Sequence, residues 1–135
     1  MKYIKDYQQT HDIDWFFSYH GVPIHVASNG GHIPDAIDMK NNRALQHLIA
    51  LKEDVSTAVV VDNNKEVLDL SSFIEYARKG FVSIDRFAGD FEEQRYHVVA
   101  YPSNGNPGEE VMRMITSVNI EGMEIEGLDN YLRIE

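Results

Sequence analysis

Apolar and polar positions alternate in short blocks along most of this chain, and the blocks change period where turn residues fall. The first block runs from Trp15 to Gly31. Phe16, Phe17 and Tyr19, and then Ile24 and Val26, are strong strand formers on either side of Gly21-Val22-Pro23. The pattern predicts a β-hairpin with Val22 and Pro23 at its turn centre. In that register His20 faces His25, with Cβ atoms about 5 Å apart. Asn29-Gly30 then predicts a second reversal.

A change to helical period follows. Ala44, Leu45, Leu48, Ile49 and Leu51 fall within an arc of about 160° on a helical wheel, which predicts a helix over 42–52 with Asn41-Asn42 interrupting anything earlier. Strands are expected at 56–61 and 66–70. The unbroken run Val59-Val60-Val61 reads as a central strand covered on both faces. A short helix is expected over 73–79, started by a Ser72/Glu75 capping box and stopped at Gly80. Two further strands are expected at 81–87 and 94–101. Beyond the Pro102–Gly108 loop the periods conflict, and the β-branched Thr116, Val118 and Ile120 favour a strand over a helix. Hairpins dominate and few connections look long enough for crossovers. The expected fold is therefore a single α+β domain over 1–135, with a mainly antiparallel sheet built from hairpins and two short helices on one face.

Composition narrows the chemistry. The 135 residues include no cysteine, which excludes structural disulfides, thiol catalysis and cysteine-ligated metals. The net charge is −10, and the stretch from Gly108 onward holds seven acids against two bases. Without a basic stripe to offset it, such a field repels phosphate backbones, so no nucleic-acid partner is expected. No apolar run approaches the ~20 residues of a membrane span, and the first residues are not of signal-peptide type. The expectation is a soluble, cytoplasmic protein with no membrane partner.

Candidate chemistry gathers at the first hairpin. His20 and His25 on paired strands, with His32 or Asp14 as a third ligand, form a set suited to a divalent metal with an open position. The competing reading is that these are turn-flanking surface histidines, since no HExxH-like spacing is present. The Ser28-Asn29-Gly30-Gly31 turn is a weak anion-cradle candidate without phosphate-loop spacing. Ser18, Ser28, Ser71 and Ser72 are available as nucleophiles, but none sits in a G-x-S-x-G elbow. Trp15, Phe17 and Tyr19 share one strand face and are a candidate binding surface. The expected function is a non-catalytic protein-binding or regulatory domain of inhibitor or immunity kind, acting on a protein partner or on itself, with no cofactor. The alternative is a small hydrolase using a histidine-bound divalent metal at the hairpin.

Overall fold

The computed structural model describes residues 1–61, 69–118 and 122–134. Its centre is a six-stranded sheet of β1 (Asp14–Tyr19), β2 (Val22–Ala27), β3 (Ala58–Val60), β4 (Val82–Arg86), β5 (Arg95–Pro102) and β6 (Glu124–Glu126). The order is β1-β2-β4-β5-β3, and β6 lies beside β3 along the same edge of β5. Helices α1 (Lys5–Thr10), α2 (Met39–Leu51), α3 (Ser71–Arg78), α4 (Glu109–Met114) and α5 (Leu128–Ile134) surround it. Among the described residues, no helix is long and apolar enough to cross a membrane.

The content is mixed α and β, as expected, but the sheet is mixed too. The β1–β2, β4–β5 and β3–β5 pairs are antiparallel, whereas β2–β4 and β5–β6 are parallel. A parallel pair needs a long crossover. Here the chain from Ala27 to Val82 provides it, passing through α2, β3 and α3. Helices also occupy both faces. On one, Leu45 and Ile49 of α2 and Val111 of α4 pack on Phe16 and Phe81, while Phe73 and Ala77 of α3 pack on Ala27 and Val99. On the other, Leu128 and Tyr131 of α5 join Trp15, Phe17, Ile24, Val26, Ile84 and Val98. All six residues of β2 are buried, because both of its faces and both of its edges are covered.

The first hairpin turns two residues earlier than expected. His20 (φ 49°) and Gly21 (φ 78°) are the turn pair, and Phe16 faces His25 while Ser18 faces Pro23. Two-residue hairpin turns of this twist need positive φ at both central positions. Proline cannot supply it. Pro23 is instead a strand residue, one position before the β2–β4 pairing begins at Ile24.

Other boundaries moved for identifiable reasons. Helix α2 starts at Met39 because the Asp38 carboxylate accepts the Asn41 N–H at 2.8 Å. Asn42 does not interrupt the helix; it is buried and bonds Tyr3 Oη and the Asp14 carbonyl, both at 2.9 Å. Leu51, placed on the apolar stripe from sequence, is instead exposed.

Helix α3 begins at Ser71, so the Ser72/Glu75 box is not its start. Asp69 Oδ1 accepts Ser71 N–H at 3.0 Å and Ser71 Oγ at 2.7 Å. Its end is the expected one: Phe81 N–H bonds Tyr76 O and Gly80 N–H bonds Ala77 O, each at 3.0 Å, with Gly80 at φ 102°.

The Val59–Val61 run is not central. Strand β3 is an edge strand, with Val59 36% and Val60 39% exposed. The strand expected over 66–70 falls largely on 62–68, outside the described residues, and its last residues lead into α3. Residues 109–114 are helix, not strand, because Val111 and Ile115 pack against Leu45 and Ile49 at helical spacing. Only the segment after them is extended, with Ser18 N–H bonding Thr116 O at 3.0 Å.

Candidate functional site

Strands β1, β2 and β4 put three polar side chains on the sheet face covered by α2, α3 and α4. Asp14 opens β1, His25 is central in β2, and Ser83 lies beside His25 in the parallel register. They form one hydrogen-bonded chain. His25 Nε2 is 2.7 Å from Asp14 Oδ1, and His25 Nδ1 is 2.5 Å from Ser83 Oγ. The His25 ring stacks on Tyr76 of α3, with centroids 3.9 Å apart and planes at 24°. An imidazole inside an apolar strand is costly unless both nitrogens are satisfied, and here both are. Opposite Ser83, β5 carries a bulge: Ser83 pairs with Ala100 while Ile84 pairs with Val98. The extra residue, Val99, shifts the alternation of β5 at the inner end of the polar chain.

Asp14 is held from its backbone as well. Its carbonyl accepts Asn42 Nδ2 at 2.9 Å and Gln46 Nε2 at 2.7 Å, so α2 clamps the start of β1. Its second carboxylate oxygen, Oδ2, is 3.5 Å from Tyr76 Oη. Burial, with the Asp14 and Glu75 carboxylates adding to it, pushes the Tyr76 hydroxyl well above its ordinary value and keeps it a neutral phenol. Asp14 and Tyr76 line a cavity of about 330 Å³, together with Tyr7, His11, Arg43 and Gln46. Tyr7 and His11 stack with ring centroids 3.9 Å apart along α1 and its C-cap.

The order serine–histidine–carboxylate is that of a hydrolase triad, but the exposure runs the wrong way. A nucleophile must meet substrate and its carboxylate partner sits behind the histidine. Here Ser83 is 0% exposed, whereas the Asp14 side chain is 35% exposed. The end of the chain that reaches solvent is a carboxylate oxygen.

The chain matches no family model, and no curated protein or solved structure matches it either. The geometry therefore stands alone.

Of the ligand set drawn from sequence, the structure brings together His25 and Asp14 and leaves His20 and His32 apart. His20 is exposed in the hairpin turn, edge-on to Tyr19. His32 lies edge-on to Phe91, with ring centroids 5.5 Å apart. The shifted turn removes the cross-strand pairing on which that set depended. Among the described residues, no group of three or more His, Asp or Glu side chains is placed to hold a metal ion.

The aromatic surface also dissolves. Trp15 and Phe17 are fully buried, and Tyr19 is half-buried against the same core. They belong to a core that also takes in Tyr3, Ile33 and Ile37 from the segments around the hairpin and Leu128 and Tyr131 of α5.

The Ser28–Gly31 turn carries carbonyls, not N–H groups, toward its ligand, and that ligand is internal. Arg86 Nε donates to Ser28 O at 3.0 Å, and its two terminal nitrogens donate to Asp90 O at 2.8 Å and Asn29 O at 2.9 Å. Gly31 is required there by packing: a Cβ would lie 2.1 Å from Arg86 Nε. A turn read as an anion cradle is filled by a cation.

Sequence reasoning missed Ser83, Tyr7, Arg43 and Gln46 as members of the site. Ser83 left one trace, a lone polar residue inside the apolar run Phe81-Val82-Ser83-Ile84.

Proposed function

We propose that this chain is a non-catalytic recognition domain that binds a basic partner protein, with the cavity over Asp14 receiving a cationic side chain. The observation that carries this reading is the reversed polarity of the Asp14–His25–Ser83 chain. Its buried end holds the Ser83 hydroxyl, and its open end offers a carboxylate already oriented by His25. A carboxylate fixed at a cavity wall receives a donor or a cation with little further ordering cost. The net charge of −10 supports a basic partner, because it steers cations inward and opposes pairing of two like copies.

Two measurements test this. Fluorescence anisotropy with labelled lysine- and arginine-rich peptides should show salt-sensitive binding that Asp14→Asn abolishes; equal binding by the variant would put the site elsewhere. Activated esters should be hydrolysed no faster by the wild type than by Ser83→Ala. Turnover that depends on Ser83 would make the chain an enzyme and end the proposal.

A further inference from the structure

We infer that Asn104-Gly105 is a self-modification site, at which the Gly105 backbone nitrogen displaces ammonia from the Asn104 side chain. In an Asn-Gly pair the glycine nitrogen attacks the asparagine Cγ and the Cγ–Nδ2 bond breaks. The glycine N–H proton leaves with the amide group as ammonia, and a five-membered succinimide remains. Water then opens the ring at either carbonyl, giving aspartate or isoaspartate. The reaction needs no partner but water. It does need the Asn–Gly peptide plane free to turn its nitrogen toward Cγ, and glycine, with no Cβ, crowds that turn least.

The chain holds two such pairs, Asn29-Gly30 and Asn104-Gly105. Both asparagines are exposed, so access does not separate them. Their hydrogen bonds do. Asn29 is held on both sides: its N–H donates to Asp12 Oδ1 at 2.9 Å, and its carbonyl accepts Arg86 Nη2 at 2.9 Å. That carbonyl belongs to the peptide that would have to turn. Arg86 is buried and is itself fixed by Ser28 O and Asp90 O. Gly30 is packed as well, since a Cβ there would lie 3.2 Å from Gln9 O. A guanidinium on the carbonyl makes the Gly30 N–H more acidic, but an acidic nitrogen that cannot turn does not reach Cγ.

Asn104 is held on one side only, where its N–H donates to Ser56 Oγ at 3.1 Å. Among the described residues, its carbonyl, its side-chain amide and the Gly105 N–H have no hydrogen-bond partner. Gly105 is exposed at φ 75°, and even a Cβ on it would meet nothing closer than Val55 O at 3.4 Å. The peptide therefore has room to rotate. Its flanks are anchored: Ser103 N–H bonds Thr57 O at 3.0 Å, and Asn106 lies so close over Gly80 that a Cβ there would come within 2.5 Å of its carbonyl carbon. Isoaspartate adds one carbon to the backbone between these anchors, so the product bulges outward at Gly105 and carries a new negative charge.

The test is to incubate the wild-type chain in mildly alkaline buffer, digest it with pepsin at low pH, and follow the peptides by mass spectrometry. Isoaspartate is identified by methyl transfer from S-adenosylmethionine with an isoaspartyl methyltransferase. Asn104 should convert at least about tenfold faster than Asn29, the factor expected when a charge-assisted hydrogen bond must break before each attack. In denaturant the two pairs should convert at similar rates, which assigns the difference to the fold. Asn104→Gln should remove nearly all the isoaspartate formed by the folded chain. Equal rates in the folded chain, faster conversion at Asn29, or a folded Asn104 that stays intact while the denatured one converts would each overturn the inference.

Discussion

The two faces of the sheet are made by the same strands and differ in what holds them. On the face covered by α5, the alternate residues Trp15, Phe17, Ile24, Val26, Val82, Ile84 and Val98 are all apolar. On the face covered by α2, α3 and α4, the positions between them include Asp14, His25 and Ser83, bonded across three strands. The apolar face gains its stability from area and tolerates exchange of one apolar shape for another. The polar face is stable only in one register. A one-residue slip would carry His25 among Trp15 and Phe17 and leave its nitrogens unpaired. The first face makes the fold stable, and the second makes it specific and gives it an outlet to solvent.

The largest effect should come from the apolar face. Trp15 is 0% exposed, and among the described residues its Nε1 has no acceptor. The ring is therefore held by packing alone, against an unmade bond that costs about 1–3 kcal/mol. Trp15→Ala should destabilise the chain by about 3–5 kcal/mol in denaturant melts. A loss below about 1 kcal/mol would be that of a surface residue, and would break the comparison by showing that this face is not the main source of stability.

The polar face should respond less, and differently. Ser83→Ala removes the partner of His25 Nδ1 and leaves a buried nitrogen unsatisfied, an expected loss of about 1–3 kcal/mol. The His25→Leu, Ser83→Ala double variant removes both ends of that bond and should cost less than the sum of the singles, read from a double-mutant cycle. Strict additivity would mean that the 2.5 Å contact contributes no coupling.

The same contrast decides what was legible in the sequence. Apolar alternation located β1, β2, β4 and β5 to within a few residues, because burial of an apolar face depends on local pattern. Gly80 located the end of α3, since a positive φ is a local demand. The polar chain was only half legible. Asp14 and His25 were noticed as chemistry, but their bond depends on a hairpin turn at His20-Gly21, and Ser83 reaches them through a parallel pairing 58 residues away in sequence. No local period encodes that crossover. Asn42 shows the same limit from the other side. It looked like a helix breaker because asparagine usually competes with helical backbone, yet its side chain is used by Tyr3 and Asp14.

The smallest effect separates two tyrosines, one on each face. Tyr96 packs in the apolar core at 1% exposure. Burial is the main cause that pushes its hydroxyl from 10.0 up to about 12; Glu93 adds to the shift and the Arg86 guanidinium opposes it. Tyr76, on the polar face, is raised first by burial and then by Asp14. In both cases the folded chain holds the neutral phenol more firmly than the unfolded chain does. The resulting stability is complete below the unfolded value of 10.0 and is lost as pH rises toward about 12 for Tyr96. At pH 11 the unfolded phenol is mostly ionised and the folded Tyr96 is not, so unfolding is favoured by on the order of 1 kcal/mol relative to pH 9. Tyr96→Phe deletes this contribution without removing the ring, and its stability should fall less than that of the wild type between pH 9 and 11. Tyr76→Phe should flatten the same loss, and it should also weaken binding of the basic peptides, which Tyr96→Phe should leave unchanged. If the two substitutions flatten the alkaline loss equally and neither affects binding, the polar face is only a second piece of core.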